Sequence, residues 1–209
     1  SITDSTLGTG QASLGGGGLY VEGGKLTLTD TTLSGHTTTG TSAPGAGVWL
    51  GDAVEVTVTG STFSTNVATG AGGAIYVEDG DLELTSTDFD LNEAWWGGAV
   101  AYAGGSGLAL DTCTFDTNTS TYQGGAVGFE VSASEDLSVD STEFVDNSTL
   151  KYGGAIYAQD AGTVKIVDSS FTGNTSSDGG GVFVGVASAL GVTGSLFCAN
   201  QADSSSGGG

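Results

Sequence analysis

The chain has 209 residues, with 39 Gly, one Pro, no Met or Arg, and three Lys (Lys25, Lys151, Lys165) against 24 acidic residues, giving a formal charge of −21. A surface of that sign lacks the basic footprint of a nucleic-acid binder and is repelled by anionic membranes. An apolar share of 37% is too high for a disordered chain, and no apolar run is long enough for a membrane-spanning helix.

The chain opens with Ser1-Ile-Thr-Asp-Ser-Thr-Leu7, with neither an initiating Met nor a signal peptide, which leads one to expect a mature product or an excised piece. From there a small-residue cluster followed by an apolar strand recurs. It appears at Gly17-Gly18-Leu19-Tyr20, Ala46-Gly47-Val48-Trp49, Gly73-Ala74-Ile75-Tyr76 and Gly98-Ala99-Val100-Ala101. Three more copies follow, at Gly125-Ala126-Val127-Gly128, Gly154-Ala155-Ile156-Tyr157 and Gly180-Gly181-Val182-Phe183. The steps between residues 18, 47, 74, 99, 126, 155 and 181 are 29, 27, 25, 27, 29 and 26. Strict alternation comes next in every copy: Leu26/Leu28, Val56/Val58, Leu82/Leu84, Leu108/Leu110, Leu137/Val139, Val164/Ile166 and Leu190/Val192. Period-two patterning of this kind is a half-buried strand. Each repeat closes on Phe-x-x-Asn, at Phe63/Asn66, Phe89/Asn92, Phe115/Asn118, Phe144/Asn147, Phe171/Asn174 and Phe197/Asn200. Degenerate copies stand at Leu7/Gly10 and Leu33/His36.

A unit of about 27 residues cannot bury its own apolar side chains and must stack on its neighbours. The sequence therefore predicts an all-β, right-handed single-stranded parallel β-helix over residues 1–209, one continuous segment of seven to eight coils. Each coil holds three short strands: one after the small-residue cluster, the Leu-x-Leu strand, and the strand centred on Phe. Stacking at about 4.8 Å per coil brings like residues into columns. The Phe column and the small residue two places before it (Ser5, Thr31, Ser61, Thr87, Cys113, Thr142, Ser169, Ser195) are expected inside, and the place after Phe outside. The recurring Asn is expected in a turn, bonding to backbone and to its neighbours, and tolerating left-handed geometry. Cys113 is expected buried and Cys198 exposed. At three coils apart, roughly 14 Å, they are too distant to bridge. The Asn118, Asn147 and Asn174 sequons fall on ladder positions and read as accidental.

Repeated Gly-Gly-Ala-(Ile/Val) and Phe-x-x-Asn, alternating through nearly the whole chain, resemble the repeats of chlamydial polymorphic outer-membrane proteins. The resemblance implies a secreted or cell-surface location, associated with the outer membrane, and an adhesive or scaffolding role. The family's C-terminal membrane barrel is not in this sequence.

The residues offer little for catalysis. Pectate-lyase-like chemistry would need Arg or clustered Lys, and inverting hydrolysis needs facing carboxylates, for which Asp88, Asp90 and Glu83 are the nearest candidates. His36, the only histidine, reads as a substitute for a ladder Asn. No cofactor is expected. Calcium could bridge acid-rich edges, but no specific motif calls for it, and no metal ligands are assigned. A non-catalytic structural or adhesive rod is the leading expectation. The alternative is a carbohydrate-binding or carbohydrate-cleaving helix using an outward aromatic face of Tyr20, Trp49, Tyr76, Tyr157 and Phe183, with Trp95 and Trp96 on the adjoining turn. Those aromatics equally suit cross-strand packing. The expected partners are further coils of the same chain or copies of itself end to end, since the chain starts and stops mid-coil, and environmental or host glycans.

Overall fold

A computed structural model describes residues 1–52, 54–131 and 135–203. Those residues form strands and turns without a helix, wound into a parallel solenoid of about eight turns with about 26 residues per turn. Among the described residues no helix is long and apolar enough to cross a membrane.

The three expected strands form three parallel sheets running the length of the stack. The Leu-x-Leu strands, from Ile2–Thr3 to Ala187–Thr193, make an eight-stranded sheet. The Phe strands, from Thr6–Gly8 to Leu196–Cys198, make another. The strands after the small-residue clusters, Leu19–Val21 to Val182–Val184, make a seven-stranded third. Register is kept rung by rung: Phe63, Phe89, Phe115, Phe144, Phe171 and Phe197 pair in sequence. Their rings stack at centroid distances of 5.1, 4.6, 4.9, 4.7 and 4.6 Å.

A fourth strand adds to these. Short segments such as Glu93–Trp96, Thr119–Gln123 and Ser148–Thr149 pair beside the Phe sheet. Its inward places hold Thr38, Ala68, Ala94, Ser120, Thr149 and Ser176 rather than large apolar residues, so no alternation betrays it. Trp95 and Trp96 belong to this strand, not to a turn.

The corners explain the polar columns. A residue in the left-handed region precedes each Asn: Thr65 (φ 54°), Leu91 (54°), Thr117 (54°) and Asp146 (50°). The left-handed conformation therefore falls on the residue before the Asn, not on the Asn as the sequence suggested. For a residue with a side chain this costs roughly 1–2 kcal/mol. The Asn is required for its hydrogen bonds. Asn92 Nδ2 donates to Phe63 O (2.9 Å) and to Asn118 Oδ1 (3.0 Å), while its Oδ1 accepts from Asn66 N (3.1 Å) and Asn66 Nδ2 (3.0 Å). The same pattern runs through Asn118, Asn147 and Asn174 to Asn200. Both amide protons and both lone-pair sites of Asn92, Asn118, Asn147 and Asn174 are used, so these buried amides are fully satisfied.

The second corner works likewise. Thr142 Oγ1 donates to Asp140 O (2.8 Å) and accepts from Cys113 N (3.2 Å), and Ser169 repeats this for Thr142. Cys113 replaces one hydroxyl in that column and is buried, and burial raises its thiol pKa to about 11. Cys198 is exposed, and both cysteines are free.

Six of the seven fourth-to-first corners carry a pair of glycines, with Ala46 in the second place at the remaining one. Gly124 has φ 64°, and a Cβ on Gly125 would run into the backbone carbonyl of Gly154 on the next coil. On the last described coil Leu190, Val192 and Leu196 are exposed, as is Phe197 at 45%, although its ring still stacks on Phe171.

Candidate functional site

The outward aromatics do not form one continuous ladder. The places after the cluster strand's first residue align Tyr20, Trp49, Tyr76, Ala101, Gly128, Tyr157 and Phe183 in register. Tyr20 and Trp49 stack face to face at 4.2 Å, so each ring has given one face to the other. Tyr157 and Phe183 stack at 5.7 Å, with Tyr152 packed against both. Ala101 and Gly128 interrupt the column, and the Trp96 indole reaches across from the fourth strand to fill the gap. A Cβ on Gly128 would collide with its ring, so Gly128 is what admits the indole.

This filling corrects the expectation of a fully solvent-facing column. Trp96 is 8% exposed and Tyr157 is 6% exposed, both buried. Burial and the nearby Glu130 raise the Tyr157 pKa to about 12, and its hydroxyl hydrogen-bonds the Gln123 side chain. Trp96 Nε1 is buried with no hydrogen-bond partner. Of the expected set, Tyr20 (54%) and Trp95 (51%) are well exposed, whereas Trp49, Tyr76 and Phe183 are half-buried.

Trp95 heads a separate stack on the fourth strand. Tyr122 lies against one face at 4.6 Å and 6°, and Lys151 Nζ sits 5.6 Å from the Tyr122 centroid, a cation on the far side of the pair. On the preceding coil the residue on the Trp95 rung is Gly70, whose carbonyl accepts from Trp95 N (2.7 Å). Away from Tyr122, Trp95 borders a hollow of about 280 Å³ lined by Ser42, Pro44, Thr69, Gly70, Ala71 and Tyr76. On its other side Trp95 borders a groove of about 560 Å³ with Trp96, Tyr122, Gln123, Glu130 and Tyr157. Tyr122, Lys151, Tyr152 and Gly70 were not singled out from sequence. The available signal was position: Tyr122 and Tyr152 precede the Gly-Gly corners as Trp95-Trp96 do.

The acidic and histidine candidates fall elsewhere. Asp88 and Asp90 straddle Phe89 on the outer face of the Phe sheet, while Glu83 stands on the Leu-x-Leu sheet. Partial burial, then the neighbouring Asp116, raise the Asp90 pKa. No group of three or more His, Cys, Asp or Glu fit to hold a metal occurs among the described residues. His36 takes the place of a ladder Asn. Gly10 N donates to Nδ1 (2.9 Å) and Nε2 lies 3.0 Å from Leu7 O, the two bonds an Asn makes to the coil before it. Only the neutral ring with its proton on Nε2 satisfies both, and burial lowers the pKa.

The model of the right-handed β-helix region matches residues 2–197. The chain belongs to the right-handed β-helix family. Comparison with curated proteins gave no match, and neither did comparison with solved structures.

Proposed function

We propose that this β-helix is a non-catalytic rod of the cell surface or extracellular space, whose task is to hold a fixed set of outward side chains against a partner. The observation that carries this reading is the contrast between an interior whose polar rungs are all paired and one outer strip with an exposed indole that is stacked on one face only. A rigid, fully bonded core is a good carrier for a binding surface because little order is lost on docking. The resemblance to the polymorphic outer-membrane protein repeats supports a surface location and an adhesive role. The charge of −21 supports solubility and self-repulsion of an extended rod.

The second reading, a carbohydrate-binding or carbohydrate-cleaving helix, is favoured by one observation, the Trp95 strip. Two assays on the purified chain test the proposal together. Retention on intact bacterial or host cell surfaces, with no reducing ends released from polysaccharides, is the expected outcome. Release of reducing sugar at a steady turnover would replace the adhesive reading with the catalytic one.

A further inference from the structure

The strip around Trp95 combines three features that bear on what it would hold. First, Tyr122 covers one face of Trp95, and on the other side the indole borders a hollow lined by Ser42, Pro44, Thr69, Gly70 and Ala71 of the two preceding coils. Second, the hollow it faces is lined by the hydroxyl-bearing Ser42, Thr69 and Tyr76 and by Pro44, with no ionisable acid or base other than the Tyr76 phenol. Burial, then Glu78, raise the Tyr76 pKa, which keeps that phenol neutral near pH 7. Third, past the edge of Trp95 the surface continues into the groove of Tyr122, Gln123, Glu130 and Tyr157. The path from the Tyr76 coil to the Tyr157 coil crosses three coil steps, about 14 Å.

From these we propose that the strip is a binding site for a neutral oligosaccharide, one sugar ring lying on the free face of Trp95 and the chain running on toward Gln123 and Glu130. This rests on the adhesive reading and names the chemistry of its partner. The C–H face of a pyranose matches an electron-rich indole face, and its hydroxyls match the uncharged hydroxyls around it. An anionic polysaccharide is disfavoured by the field of 24 acids. A cationic ligand finds no carboxylate in the hollow beside the indole. Another exposed aromatic, Tyr20, is stacked on Trp49 and lies outside this path, so it serves as a control.

The test uses the whole chain with cello-, laminari-, manno- and chito-oligosaccharides as probes, read by titration calorimetry and by retention on the same cell surfaces. Trp95→Ala and Tyr20→Ala are compared, each first matched to the parent in circular dichroism and melting. Binding of at least one neutral series is expected, weakened at least about tenfold by Trp95→Ala, the loss typical of truncating an anchor tryptophan, and unchanged by Tyr20→Ala. A milder loss in Trp95→Phe, which keeps a ring face, would support the stacking assignment. Surface retention without binding of any neutral series would overturn this proposal and leave the adhesive reading standing. So would sugar binding that survives Trp95→Ala. Absence of both surface retention and sugar binding would overturn the two together.

Discussion

The Asn column and the outer aromatic column both stack one kind of side chain from coil to coil, yet they end in opposite conditions. In the Asn column the side chains of Asn92, Asn118, Asn147 and Asn174 each donate twice and accept twice, so those rungs have no polar atom left for an outside partner. In the aromatic column, rungs are missing at Ala101 and Gly128, and the neighbouring fourth-strand stack breaks off at Gly70. One gap is filled by Trp96 and the other leaves a face of Trp95 open. Regularity makes the rod, and departures from it make the surface on which a partner can be recognised.

The largest effect should come from breaking the closed column. Asn118→Ala removes the amide bond to Phe89 O and leaves Asn92 N and one Asn92 Nδ2 proton without partners inside the core. At about 1–3 kcal/mol for each orphaned group, the loss is on the order of several kcal/mol. Equilibrium denaturation should show this at Asn118 and a smaller loss for Asn200→Ala on the last described coil, where Asn200 is only partly buried.

Next in size is the filled gap. Trp96→Ala should cost about 3–5 kcal/mol, since it empties the space over Gly128. Trp96→Phe should cost far less, because it also removes an unpaired buried N–H worth about 1–3 kcal/mol. Equal destabilisation by the two variants in thermal melts would contradict the assignment of Trp96 as a wedge.

These two regions also mark what the sequence could reveal. The Phe and Asn columns were legible because each residue is repeated at the coil period, and stacking demands like upon like. The fourth strand was hidden because its inward places carry Ala, Ser and Thr, which give no apolar alternation. The burial of Trp96 and Tyr157 was hidden for a different reason. Parity within one strand says which way a side chain leaves the backbone, not whether a tryptophan from a neighbouring strand lies across it. The open side of Trp95 carried no signal at all, since it depends on which residues lie on the neighbouring coils.

The smallest effect concerns the imperfect rung of the closed column. His36 is held neutral, with a pKa below its ordinary value because of burial. Its contribution to stability should be complete above about pH 6.5 and should decline as the pH falls from there toward the lowered folded-state pKa, as the unfolded chain takes up a proton that the folded ring refuses. His36→Asn should abolish that component and add a further amide bond to Asn66 Oδ1, which now accepts from His36 N. Melting of the two proteins between pH 8 and pH 5 isolates the term, since the carboxylates are common to both. A parent curve parallel to that of the variant would exclude it.

The account's central claim is that a closed interior carries one open aromatic strip. Two-dimensional NMR of the indole N–H and Asn side-chain amide resonances during titration with the neutral oligosaccharides tests it directly. The expected result is that the Trp95 indole shifts on titration, while the Asn92, Asn118 and Asn147 amides stay in place and exchange slowly with solvent. Shifts spread through the Asn amides, or an unmoved Trp95 beside a moving Tyr20–Trp49 stack, would contradict it.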